Sequence, residues 1–121
     1  MTPKQIETRA KIQLFARLFG VDEHWADAIA NVESSYGLHQ KSPTGALGVF
    51  QMTSIAMKDL LWSMEQIDDD IVDIVCGIAF LRLLKKRFGT IEEATSHYCA
   101  PMDRPWYVTK VMELIESTQR Q

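Results

Sequence analysis

Glu33 is the residue whose type and position most directly suggest chemistry. It ends an apolar helical pattern that runs from Trp25 to Val32, and a connection containing Val49 and Phe50 follows it. A glutamate at a helix end is usually solvated. A carboxyl group that packs against apolar side chains behaves differently, because burial disfavours its charged form and raises its pKa. Such a group keeps its proton near neutral pH and can act as a general acid.

The connection after Glu33 is the second feature that suggests function. Helical periodicity is lost from Ser34 to Met52, and this segment is longer than most purely structural loops. Glycine and proline interrupt it at Gly37, Pro43, Gly45 and Gly48. Long connections held by a rigid scaffold commonly carry functional residues.

Capping signals predict the helices that position these residues. Thr2, Pro3 and Gln5 have the order of a capping box with proline at the first helical position. The apolar residues at near-helical spacing in this first amphipathic helix are Ile6, Ala10, Phe15, Leu18 and Phe19. Asp22 can cap a second helix, which ends at Glu33.

Similar signals predict the second half of the chain. A short helix is expected over residues 53–62. A long apolar helix follows, with acidic residues 68–70 at its start and basic residues 85–87 at its end, as suits the helix dipole. Thr90 and Glu93 form another capping pattern, and Asp103 with Pro105 starts a last helix. The fold is therefore predicted to be mainly α, with at most a small β element around residues 42–52.

Composition limits the possible partners. The chain has 121 residues, a formal net charge of −3 and a pI near 5.5, which disfavour binding to nucleic acid. Its longest apolar stretch, residues 74–81, is too short to span a membrane. Cys76 and Cys99 have no metal-ligand spacing with the histidines and are predicted to be buried thiols. We expect one domain over residues 1–121, made in the cytosol without a visible signal peptide.

Five motifs resemble those of a known family. Residues 33–35 (ESS) and 42–51 (SPTGALGVFQ) resemble the E-S and S-P-x-G-A-x-G-L-x-Q motifs of the soluble lytic transglycosylase family, which is related to goose-type lysozymes. Residues 73–81 are similar to its N-I-x-x-G-x-x-Y-L motif, residues 94–100 to A-x-x-Y-N-A, and residues 107–111 to Y-V-x-K-V. The agreement runs in order through about residues 22–112 and implies a single lysozyme-like domain.

The resemblance implies a specific reaction. Members of this family cleave the β-1,4 bond between N-acetylmuramic acid and N-acetylglucosamine in peptidoglycan and leave a 1,6-anhydromuramoyl end. Glu33 would be the only catalytic carboxyl group, acting first as acid and then as base. No cofactor and no metal is implied. The substrate-binding residues implied by position are Ser34, Ser42, Gly45, Gly48, Gln51 and Tyr98.

Each of these positions has an expected role. The two glycines would let the backbone approach a sugar ring. Gln51 can donate to and accept from sugar hydroxyl or acetamido groups. Ser34 and Ser42 would orient Glu33 or hold the loop, and Tyr98 would place its hydroxyl near the carboxyl group.

Departures from the family pattern leave two alternatives open. Cys99 and Pro101 stand where the family has Asn and Gly, so a non-catalytic glycan-binding or structural protein is one alternative. The other is a peptidoglycan hydrolase, in which Asp73 or Asp103 activates water. Asp73 itself replaces a family Asn and is expected to be a helix-packing residue.

The expected site of action is the cell wall, in the periplasm. Without a visible signal, the sequence fits a bacteriophage lysin or virion component, or a bacterial enzyme with another export route. The expected partners are peptidoglycan glycan strands together with virion or secretion-apparatus proteins, and neither nucleic acid nor membrane insertion is expected.

Overall fold

Helices form most of the described chain. The computed structural model describes residues 1–38, 48–51, 70–99 and 104–120, and the structural statements below concern these residues. Its helices are α1 (Pro3–Leu18), α2 (Glu23–Ser34), α3 (Asp70–Phe88), α4 (Ile91–Ser96) and α5 (Arg104–Gln119). The described residues contain no strand, so the predicted mainly α class is confirmed. Most of the predicted element at 42–52, and all of the helix predicted at 53–62, lie outside the described residues.

Helix α1 starts as predicted but buries a different face. Gln5 N–H donates to Thr2 Oγ1 at 3.1 Å, and Thr2 N–H donates to Gln5 Oε1 at 2.7 Å, which completes the capping box. The buried side chains are Thr8, Ile12 and Ala16. The side chains of Ile6, Leu18 and Phe19, which the apolar spacing had assigned to an amphipathic face, are instead 54%, 67% and 43% exposed. Arg9 of the same helix pairs with Asp27 of α2, as described below.

Helix α2 is the central helix and packs against α1 and α5. Asp22 Oδ1 accepts the backbone N–H groups of His24 and Trp25 at 2.9 and 3.1 Å, which confirms the predicted cap. Trp25 is 1% exposed, and its Nε1 donates to Thr95 Oγ1 at 2.9 Å. Trp25 therefore belongs to the core.

Helix α3 supplies a second wall of the core. Its last turn is basic and ends at Phe88. Gly89 follows with a φ of +88°, a backbone conformation that favours glycine. Cys76 is buried in this helix, whereas Cys99, also predicted to be buried, is only partly so, and within the described residues neither forms a disulfide. Gly77 allows Phe50 to pack on α3, because a Cβ at residue 77 would fall 2.8 Å from the Cβ of Phe50.

Helix α4 follows α3 after two residues. Thr90 Oγ1 accepts the N–H of Glu93 at 3.1 Å, as its capping pattern predicts. Helix α5 begins at Arg104, next to the predicted start. None of the helices in the described residues has the length and apolarity needed to cross a bilayer. The largest fully buried side chains are Trp25, Phe50, Ile12, Ile29, Ile74, Ile78, Leu81 and Val111.

Candidate active site

Glu33 lies in the last turn of α2 and points towards the start of α5. The hydroxyl of Tyr107 donates a hydrogen bond of 2.6 Å to Glu33 Oε1. Burial raises the pKa of the Glu33 carboxyl group, and the hydrogen bond from Tyr107 lowers it by less. The net effect is a carboxyl group that holds its proton to a higher pH than an ordinary glutamate. This is the property that a general acid needs.

Stacked aromatic rings form one wall beside Glu33. The rings of Tyr98 and Tyr107 are stacked with their centroids 6.4 Å apart, and Phe80 of α3 lies 5.7 Å from Tyr98. Burial and the negative charge of Glu33 raise the pKa of both tyrosines well above its usual value. Tyr107 therefore remains a hydroxyl donor throughout the pH range in which Glu33 titrates.

Residues 48–51 form a turn that is fastened to two helices. The Val49 N–H donates to Asp73 Oδ2 of α3 at 2.9 Å. The Val49 carbonyl accepts from Ser34 Oγ of α2 at 2.6 Å, and that same Oγ accepts the Gly37 N–H at 2.9 Å. Val49 is thus held through both its peptide groups. The arrangement ties the turn to the helix end that carries Glu33.

Gly48 is explained by its contact with α3. Its φ is +86°, and a Cβ there would fall 2.8 Å from Cγ of Asp73. Only glycine tolerates both the positive φ and this close approach. The predicted reason for Gly48 was room for a sugar ring, whereas the group next to its α-carbon is the Asp73 carboxyl group. Asp73 is itself 1% exposed.

The turn that follows Glu33 is braced by α1. Gln5 Nε2 donates to the carbonyl of Ser35 at 2.9 Å. Arg9 donates to both carboxylate oxygens of Asp27, at 3.0 and 3.1 Å, and lies over the ring of Tyr36. Ser35 and Tyr36 have φ values of 51° and 56°, a backbone conformation that non-glycine residues rarely adopt. These contacts hold the strained turn in place.

Most of the described site residues predicted from the sequence come together. Glu33 and Ser34 end α2, and Gly48 and Gln51 lie in the turn that Ser34 fastens. Gln51 Nε2 donates to the Gly48 carbonyl at 2.8 Å. Of the two roles expected for Ser34, the contacts show that of holding the loop. Ser42 and Gly45 lie outside the described residues.

Tyr98 lies near Glu33, but the Glu33 carboxyl group accepts from another tyrosine. The Tyr98 hydroxyl donates to the carbonyl of Phe50, and the hydroxyl that donates to Glu33 is that of Tyr107. Tyr98 still lies near enough to Glu33 for the carboxylate charge to raise its pKa. The sequence comparison matched Tyr107 to the Y-V-x-K-V motif but gave it no role. The place of Tyr107 in that motif was therefore the one sign in the sequence that it could belong to the site.

Asp73 was expected to be a packing residue and is instead an anchor of the turn. In α3, Asp73 and Gly77 lie four residues apart and share one helix face. Asp73 binds Val49, and Gly77 makes room for Phe50. The motif in residues 73–81 thus supplies the contact surface for residues 48–50. Within the described residues, no group of three or more His, Cys, Asp or Glu side chains is arranged to hold a metal ion.

Comparison with known proteins adds one match. A family model described as "Transglycosylase SLT domain" matches residues 12–104 of the 121-residue chain. No curated protein and no solved structure gave a significant match.

Proposed function

The chain belongs to the transglycosylase SLT domain family, and from this premise we propose that it is a peptidoglycan lytic transglycosylase. It cleaves the β-1,4 bond between N-acetylmuramic acid and N-acetylglucosamine. The observation that carries the proposal is the half-buried Glu33 carboxyl group, with its raised pKa and its hydrogen bond from Tyr107.

Glu33 performs two proton transfers in this mechanism. The protonated carboxyl group first donates its proton to the glycosidic oxygen, so that the C1–O bond breaks and the N-acetylglucosamine fragment leaves. The resulting carboxylate then accepts the proton of the muramoyl C6 hydroxyl, and the C6 oxygen bonds to C1. The product is a 1,6-anhydro ring, no water is consumed, and Glu33 regains its proton.

Tyr107 assists the second stage. A hydrogen bond donated to a carboxylate stabilises the charged form, which exists between the two proton transfers. Burial favours the protonated starting state, and the Tyr107 bond limits the cost of the charged intermediate state. The opposing effects on the Glu33 pKa thus match the two roles of the residue.

Asp73 is poorly suited to the hydrolytic alternative. A glycoside hydrolase normally needs a second carboxylate that binds or activates water at the sugar. Asp73 is 1% exposed, and its Oδ2 accepts the Val49 N–H. This arrangement supports an anchoring role for it. Asp103, the other carboxyl group considered, lies outside the described residues.

The chemical nature of the released ends tests the proposal. Purified sacculi are digested with the wild-type protein and with Glu33→Gln, and the fragments are analysed by mass spectrometry. Anhydromuramoyl ends from the wild type, and none from the variant, are expected. Reducing muramoyl ends would instead establish hydrolysis, and no cleavage by the wild type would favour the non-catalytic alternative.

Action at the cell wall belongs to the same proposal, since the substrate lies there. Bacteriophage origin, the route to the wall, and contacts with virion or secretion-apparatus proteins stay predictions from the sequence.

A further inference from the structure

A positively charged cavity lies away from Glu33. Its volume is about 340 Å³, near the lower end of the range for small-molecule sites. Trp25 and Asp22 contribute to the wall formed by the α1–α2 connection and the start of α2. Arg82, Lys85 and Lys86 of α3 contribute to the opposite wall.

The three cations share one face of α3. They occupy positions i, i+3 and i+4 of the helix, so their side chains are neighbours. All three are exposed, and none forms an ion pair with any other part of the chain that the structure describes. Their charge is therefore available to a ligand.

The helix dipole explains only part of this cluster. Lys85 and Lys86 lie in the last turn of α3, where basic residues complement the dipole. Arg82 lies six residues before the end of the helix at Phe88, where that effect has faded. The one acidic residue of the cavity wall, Asp22, already accepts two backbone N–H groups with its Oδ1. The cavity thus keeps an excess of positive charge.

The cavity is separate from the catalytic carboxyl group but close enough to serve the same polymer. Trp25 and Glu33 are eight residues apart in α2, which corresponds to about 12 Å along the helix axis. The protein has a formal net charge of −3, so its overall field opposes approach to an anionic cell wall. A local cluster of three cations provides one place where an anionic group can bind.

We propose that this cavity binds an oxyanion group of the cell-wall polymer while the glycan strand occupies the site at Glu33. This inference rests on the proposed function. Arg82 can bind a carboxylate or phosphate through two parallel N–H groups, and Lys85 and Lys86 add point charges. The shared chemistry is a carboxylate or phosphate oxygen, supplied either by the peptide stems of peptidoglycan or by phosphodiester polymers attached to it.

Binding can be measured without cleavage in the Glu33→Gln background. The test variant adds Arg82→Gln and Lys86→Gln. The matched control adds Arg87→Gln and Arg120→Gln, which change the net charge equally at exposed cations that do not line the cavity. Each protein is pelleted with three preparations: intact sacculi, sacculi freed of phosphodiester polymers by acid extraction, and sacculi whose peptide carboxyl groups have been converted to amides with a carbodiimide and ammonia.

The test variant is expected to bind intact sacculi about tenfold more weakly than the control, as the loss of two ion pairs predicts. The difference should disappear in the preparation that lacks the true source of the oxyanion. Equal binding of the two variants to all three preparations would overturn the proposal, and so would a difference that persists in both depleted preparations. The end-group analysis is independent of these results, so a failure of the cavity proposal and a failure of the proposed reaction are distinguishable.

Discussion

The hydroxyl of Tyr107 donates to Oε1 of Glu33 across 74 positions of the chain, at a distance of 2.6 Å. The contact joins the end of α2 to the first turn of α5. It stabilises the carboxylate form of Glu33, while burial stabilises the protonated form. Four predictions test this balance and the structure that supports it.

Replacing Tyr107 by Phe should shift the pH profile towards alkaline pH. The change removes the hydrogen bond that lowers the Glu33 pKa, so this pKa rises further and the acid stays protonated to higher pH. We expect the alkaline limb of kcat to move upwards, and kcat at its optimum to fall about tenfold as a charge-assisted hydrogen bond is lost. Tyr98→Phe is the comparison, because its hydroxyl donates to Phe50. An unchanged or acid-shifted limb for Tyr107→Phe would contradict the assignment.

Replacing Glu33 by Gln should abolish activity but increase stability at neutral pH. Because the folded-state pKa is raised, the folded protein binds more protons than the unfolded chain between the two pKa values. The free energy of unfolding of the wild type therefore falls as pH rises through this window. Gln carries no charge at any pH, so the variant escapes this loss. Calorimetry from about pH 4 to 8 should show a higher Tm for the variant only in the upper part of that range. A lower Tm at neutral pH would refute the pKa argument.

Two substitutions at Asp73 separate an anchoring role from a catalytic one. Asp73→Ala removes the acceptor of the buried Val49 N–H and should cost about 1–3 kcal/mol of stability. Asp73→Asn retains an oxygen acceptor, so we expect a smaller loss of stability and retained cleavage of sacculi. Denaturant unfolding and turbidity assays measure the two effects. If Asp73→Asn folds normally but has no activity, Asp73 participates in the chemistry and the hydrolytic mechanism regains support.

The pair formed by Arg9 and Asp27 should matter far more to stability than a surface pair on the same helix. Asp27 is 2% exposed in its side chain, so Arg9→Ala leaves a buried carboxylate without its bidentate partner. A loss of about 3 kcal/mol is expected. Lys11 pairs with the exposed Glu7 four residues away, and Lys11→Ala should cost less than about 1 kcal/mol. Equal midpoints of urea unfolding for the two variants would be the contradictory result.

Local contacts explain which parts of the fold were predictable. The caps at Thr2, Asp22 and Thr90 bind backbone groups two or three residues away, so the sequence itself displays both partners. The buried face of α1 was mispredicted because several apolar residues could face the core. Which of them do depends on packing against other helices, and the spacing within α1 does not show that packing.

In the candidate site, too, some features were predictable from the sequence and others depend on contacts between distant parts of the chain. Several residues that the family motifs singled out lie close together, since Ser34, Gly48, Gln51 and Tyr98 lie around the turn that Ser34 fastens. They did not indicate which tyrosine donates to the carboxyl group. Tyr98 and Tyr107 are stacked, and the direction of each hydroxyl depends on acceptors 48 and 74 positions away. Spacing along the chain carries no information on such directions.

The brace from α1 and the donor from α5 both lie beyond the segment that the family model matches. Residues 12–104 match the family model, whereas Gln5, Arg9 and Tyr107 fall outside it. An expression fragment trimmed to the matched segment would lose the support of the turn after Glu33 and the hydroxyl that regulates its proton. The smallest unit able to work is therefore expected to be wider than the matched segment, and deletion from either end should inactivate the protein even though residues 12–104 stay complete.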